Sequence, residues 1–173
     1  MALTSFLLIT AAGEDAPVLF GEDTTQTSMG STNVSAYLEC SAFDAALDIG
    51  QRGTHGSSQS TGHRVWQPAR FVVRVGKSTP WLFDAARMNK SIDLTLHLFG
   101  RPTARGEIEN RLQYRIQQGR ITSIRLILPD TLDRMTASLP ERVEFSVIPN
   151  VIEVESITGG TIMVDNWAEF GVT

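Results

Sequence analysis

Apolar and polar residues alternate along most of the chain with a period of two, the spacing at which successive side chains point to opposite faces of a strand. The pattern is clearest in Ile92, Leu94, Leu96 and Leu98, which are separated by Asp93, Thr95 and His97. It predicts a strand with one face on the core and the other mostly polar, with His97 on the polar side as a surface or interface residue. Leu112, Tyr114 and Ile116 alternate in the same way with Arg111, Gln113, Arg115 and Gln117, and another strand is predicted from Ile121 to Leu128. Between them Gln118-Gly119-Arg120 reads as a tight hairpin turn with Gly119 at positive φ, so that these two strands pair with each other. Val143, Phe145 and Val147 hold odd positions, whereas Ile152 and Val154 hold even ones. A bulge or bend at Pro149-Asn150 would reset the phase. Phe6-Leu7-Leu8-Ile9 has no Lys or Arg ahead of it, and Met1 to Thr10 is expected as a first strand rather than a signal peptide.

One segment departs from this period. Thr79 is expected to cap a short helix that begins with Pro80 and runs to about Met88, with Leu82, Phe83 and Ala86 facing the sheet. Two stretches read as loops: the polar Gly21 to Asn33, and Gly50 to Gly62 with its four glycines and several hydroxyl side chains. A loop as long as the second is usually functional or disordered, because ordering it costs roughly 1–2 kcal/mol per residue. The fold class is therefore mainly β, an antiparallel barrel or sandwich with one short α-helix, and 173 residues suit a single domain spanning residues 1–173.

Composition narrows the function. Fifteen basic against nineteen acidic residues give a net charge of -4, which disfavours a nucleic-acid partner, and no apolar run is long enough for membrane insertion. The single cysteine, Cys40, is expected to be a buried structural thiol. His55 and His63 flank the glycine-rich loop, but no carboxylate or thiol lies between them and the spacing matches no zinc pattern. Asp44 and Asp48 are too weakly patterned to argue for a paired acid and base. Neither a nucleophile elbow nor a phosphate-binding glycine motif occurs. The expectation is of no enzyme activity, no cofactor and no metal. Arg64, Arg70 and Arg74 share one parity with Trp66, opposite Val65, Phe71, Val73 and Val75, which reads either as a solvated basic face or as a lateral subunit interface.

The order of these features resembles the Hcp (haemolysin-coregulated protein) family of type VI secretion tube proteins. Trp66-Gln67-Pro68-Ala69-Arg70-Phe71-Val72-Val73 followed by Gly76-Lys77-Ser78-Thr79-Pro80-Trp81-Leu82-Phe83-Asp84-Ala85 looks like that family's strand, Lys-Ser-Thr-Pro cap and helix. Tyr114-Arg115-Ile116 with Gly119-Arg120-Ile121-Thr122-Ser123-Ile124, then Leu139-Pro140-Glu141-Arg142-Val143-Glu144-Phe145, then Gly159-Gly160 and Asp165-Asn166-Trp167 follow in the family's order. Gly76 departs from the Asp common at that position, and Thr24 to Asn33 looks like an insertion.

The resemblance implies homohexameric rings that stack into a tube inside a contractile sheath, tipped by a spike trimer, with effector proteins in the lumen. It implies assembly in the cytoplasm and then release outside the cell without a signal peptide. It places a ring-stacking loop at Gly50, Gln51, Arg52, Gly53, Thr54, His55, Gly56, Ser57 and Ser58. The competing readings are a tail-tube protein of a phage-like injection machine, a monomeric β-sandwich ligand-binding module, and a small hydrolase using His55 and His63.

Overall fold

The computed structural model describes residues 5–12, 28–29, 32–49, 64–100 and 108–166. In chain order these form β1 (Ser5–Ala11), β2 (Ser28–Met29), β3 (Thr32–Asn33), β4 (Leu38–Asp44), β5 (Leu47–Ile49), β6 (Arg64–Trp66), β7 (Ala69–Arg74), α1 (Ser78–Arg87), β8 (Ser91–Phe99), β9 (Asn110–Ile127), β10 (Arg142–Ile148), β11 (Val151–Ser156) and β12 (Thr161–Asn166). The large sheet runs β10-β7-β4-β1-β8-β9-β11-β12, and a second pairing of β9 with β10 closes six of these strands into an antiparallel barrel. β11 and β12 extend from β9 beyond the barrel, while β2-β3 and β5-β6 form two separate ribbons.

The strict alternation of β8 fills the barrel: Ile92, Leu94 and Leu96 are fully buried beside Leu7, Ile9, Phe71, Ile116 and Phe145. Phe71 stacks on Phe145 with ring centroids 5.3 Å apart and meets Phe43 at 5.1 Å. Toward the end of β8 both faces are covered. The register shifts between Leu98 and Phe99, and Phe99 packs edge-on against Phe6 in a second small cluster with Met29 and Val34. This cluster lies under part of the stretch expected to be a loop, since Ser28 to Asn33 contains the short β2-β3 ladder.

The hairpin expected at Gln118-Gly119-Arg120 is corrected. β9 runs through these residues without reversing, and its register with β8 shifts there between Ile92 and Leu94, an irregularity of the kind that bends a strand. Its first half pairs with β11, from Leu112↔Ser156 to Gln117↔Val151, and its second half with β10, from Arg120↔Ile148 to Ile127↔Arg142. The opposing strand breaks at Pro149-Asn150, opposite the bend, so Val147 and Ile152 both reach the core despite their different parity. That phase reset is as expected. The left-handed residue is Gln118, at φ 52°; its N–H donates to Asp93 Oδ1 at 2.6 Å, and its side-chain oxygen accepts from Asn150 Nδ2 at 2.8 Å. Gly119 serves close packing instead: a Cβ there would stand 2.6 Å from Val147 Cγ1 and 2.7 Å from Ile116 Cγ2. Both are branched side chains locked in the core. Gly119→Ala is expected to cost about 1–3 kcal/mol by overpacking, read as a lowered urea midpoint with an unchanged m-value.

The helix begins two residues earlier than expected. Ser78 is its first residue and Pro80 its third, still within the first turn, where a missing N–H costs no helical hydrogen bond. Thr79 does not cap forward. Its Oγ1 reaches back to accept from the Gly76 N–H at 3.1 Å. Ser78, Leu82 and Ala85 make the buried face, whereas Phe83, expected to face the sheet, is 39% exposed.

Candidate assembly surfaces

A closed barrel has no strand edges, so the places where this chain can add another strand lie outside the closure or where the closure is incomplete. β12 is one. It pairs with β11 from Val151↔Asn166 to Ser156↔Thr161, after a turn in which Gly160 takes φ 60°. In the sheet order it stands last, with no strand on its outer side among the described residues. Thr161, Ile162, Met163 and Val164 carry no charge and no proline, the usual devices that blunt an edge. Ile162 and Val164 are 61% and 60% exposed, and Met163 on the opposite face is 41% exposed, so the protomer covers neither face of residues 161–164, and only Asp165 beyond them is buried.

The second edge is the later half of β9. β8 accompanies β9 only as far as Ser91↔Arg120, so, among the described residues, 121–127 pair with β10 alone. The connection that follows is held by its own bonds, with Asp130 Oδ1 accepting from Leu132 N and Asp133 Oδ1 from Met135 N, each at 2.9 Å. Its apolar side chains point outward, Leu132 and Met135 being 93% and 85% exposed, and Leu126 and Leu128 continue the patch.

The four residues expected to share a lateral interface do not share one face. Gln67-Pro68 separates β6 from β7, which belong to different sheets, and the parity breaks there. Trp66 is buried and Val65 exposed, the reverse of the expectation. The Trp66 indole lies in the main core, and its Nε1 donates to Asp165 Oδ2 at 2.8 Å, while Arg64 Nη2 donates to Asp165 Oδ1 at 2.8 Å. Arg70 and Arg74 do lie on the outer face of β7. Arg70 Nη1 is 3.4 Å from Glu144 Oε1, which also accepts from Arg125 Nη2 at 2.6 Å, and Arg74 Nε is 3.5 Å from Glu39 Oε2. The Arg125 hydrogen bond, with Arg70 beside it, holds the Glu144 carboxyl below its usual pKa range.

Gly50 to Ser58, together with His55, His63 and Trp167, lie outside the described residues. Asp48 accepts from Gln67 Nε2 at 2.7 Å and so serves the β5-β6 ribbon, and Asp44 stands exposed at the end of β4. Cys40 is buried, as expected, with its Sγ donating to the Ala42 carbonyl at 3.2 Å; burial pushes the thiol pKa up. His97, expected at the surface, is only 8% exposed. Tyr37 meets its ring edge-on at 5.2 Å, and its Nδ1 lies 2.7 Å from Asn110 Nδ2. Burial, and after it the positive charge of Arg115, bring its pKa down to about 4. Asp165 is the residue that sequence reasoning missed: it was legible only as part of an ending motif, and nothing in one sequence pairs it with Trp66, 99 positions away.

No family model and no curated protein matches the sequence. Solved structures do match it over nearly all its length. An Hcp protein shares 21% identity at TM-score 0.79, covering 95% of this chain and 99% of its own. Hcp1 from E. coli EAEC 042 pathovar shares 15% identity at TM-score 0.75, covering 96% and 99%. The secreted protein Hcp3 from Pseudomonas aeruginosa shares 15% identity at TM-score 0.70, again over 96% and 99%. The six-stranded closure, the one helix among the described residues and the matches over almost the whole length of both chains together establish that this chain has the Hcp fold.

Proposed function

We propose that this chain is a structural subunit of a type VI secretion inner tube, one that joins six copies into a ring and stacks rings end to end. The observation that carries this reading is the presence, on an Hcp fold, of two different strand edges left unpaired among the described residues, β12 and residues 121–127 of β9, each flanked by exposed apolar side chains. Two unlike surfaces that fit each other make a head-to-tail contact, and such a contact generates a ring when its rotation closes. Pairing of β12 on one copy with the free side of β9 on the next would satisfy backbone N–H and C=O groups on both and cover Ile162 and Val164 or Met163 at the same step. The number six comes from the family resemblance.

The remaining parts of the reading follow the same resemblance. Gly50 to Ser58 is assigned to the contact between successive rings, and Arg70 and Arg74 to a charged outer surface. Sheath proteins, a spike trimer and effector proteins in the lumen are the partners. The chain works in the cytoplasm while assembled and outside the cell after firing, and it supports no catalysis of its own. Native mass spectrometry and negative-stain electron microscopy of the purified protein test the core of the proposal. The expected result is a mass of six chains and annular particles; single chains at all concentrations would overturn it.

A further inference from the structure

β12 and the β5-β6 ribbon are joined to each other by one buried carboxylate. Among the described residues β12 has a strand on one side only, and the β5-β6 ribbon has no ladder to the barrel: its pairs are Leu47↔Trp66, Asp48↔Val65 and Ile49↔Arg64. Asp165 sits near the end of β12, paired in register with Ile152 of β11, and its side chain is 7% exposed. One of its oxygens takes the Trp66 indole N–H and the other the Arg64 guanidinium, both at 2.8 Å. Two charge-assisted hydrogen bonds to separate oxygens fix the carboxylate in direction as well as distance, so a displacement of β12 is also a displacement of β6.

We infer that Asp165 is a positioning residue that couples docking of a second copy on β12 to the seating of the β5-β6 ribbon. The inference rests on the proposed ring. A neighbour paired along the free side of β12 holds that strand from both sides, Asp165 is then held with it, and the ribbon gains a firmer seat in the ring than in the lone protomer. The ordering of the ribbon is in this way partly accomplished by ring closure, before any axial contact forms. Coupling of this kind is a difference in equilibrium between two states of assembly, and it is measured as such.

The test is hydrogen exchange of the amides in residues 47–49 and 64–66, compared between the assembled ring and a lone protomer obtained by the double substitution Ile162→Lys and Val164→Lys. In the otherwise unaltered chain, protection of these amides is expected to rise about tenfold on assembly, within the usual range of coupling between sites. The same comparison is then made with Asp165→Asn in both backgrounds. The Asn carbonyl still accepts from the Trp66 indole but removes the charge-assisted bond between position 165 and Arg64, so the ring mass stays while most of the rise disappears. An undiminished rise in Asp165→Asn overturns the inference, and so does an equal loss of protection in the lone and assembled forms, which would mark Asp165 as a fixed anchor only. Arg64→Gln covers the case in which Asp165→Asn fails to fold: it leaves the bond to Trp66 in place, and a full rise in that variant overturns the coupling as well. Failure of the proposed ring itself shows separately, as the absence of a six-chain mass before any exchange is measured.

Discussion

Lysine at both position 162 and position 164 is expected to turn rings into single chains while leaving the protomer folded. The two side chains lie on one face of β12 and are each more than half exposed, so the protomer loses little by the change; surface substitutions of this kind usually stay within about 0.5 kcal/mol. The assembled state loses far more. Covering what remains of an Ile and a Val contributes on the order of 1–2 kcal/mol together, and an ammonium trapped in an apolar contact without a partner adds a penalty of several kcal/mol. Each 1.4 kcal/mol is about tenfold in affinity, and a closed ring repeats the same contact at every junction. Native mass spectrometry at matched concentration reads the outcome, with a thermal melt confirming that the fold is kept. Rings that survive both lysines would remove β12 from the lateral contact.

How far the pattern along the chain could be read depended on what covers each face. β8 was legible because its neighbours β1 and β9 present one continuous core to it, and Ile92, Leu94 and Leu96 follow the simple alternation. The alternation misleads at the end of the same strand, where the second cluster covers the other face and takes in Phe99 and the adjacent His97. Gln118-Gly119-Arg120 shows a different limit. A glycine between two alternating runs marks either a reversal or a close backbone approach, and the choice is made by Val147 and Ile116, residues brought there by pairings that no local signal specifies. Pro149-Asn150 was read correctly because a change of parity is itself local information. Trp66 was misplaced for a related reason: Gln67-Pro68 restarts the phase, so parity cannot be carried from β6 to β7. The surfaces proposed for assembly were hidden in plain hydrophobic residues. Ile162, Val164, Leu132 and Met135 look like core in a sequence, and only the fold shows that the protomer leaves them uncovered.

His97 makes the folded chain sensitive to acid in a range where most carboxylates are still ionised. Its pKa in the fold is about 4, against about 6.5 in an unfolded chain, because the buried site disfavours the charged ring first and Arg115 repels it second. Above about pH 6.5 the ring is neutral in both states and contributes no slope. As the pH falls below that value the unfolded chain takes up a proton that the folded chain refuses, so stability declines until the folded ring also titrates near pH 4, for a total of about 3 kcal/mol at most. The groups around it do not offset this. Gln113 and Asn110 are uncharged, and the Arg115 guanidinium is engaged by Glu153 at 2.6 Å on the neighbouring strand. Paired acids such as Glu144 and Asp84, whose pKa values are lowered by their basic partners, also lose stability on acidification, so the wild-type curve alone does not isolate the histidine. The measurement is therefore a difference: urea midpoints of the wild type and of His97→Gln between pH 7 and pH 4, the glutamine carbonyl being able to accept from Asn110 in place of Nδ1. The gap between the two curves is expected to be constant above pH 6.5 and to shift in favour of the glutamine variant below it. Parallel curves across the whole range would mean that the imidazole is not held neutral by its burial.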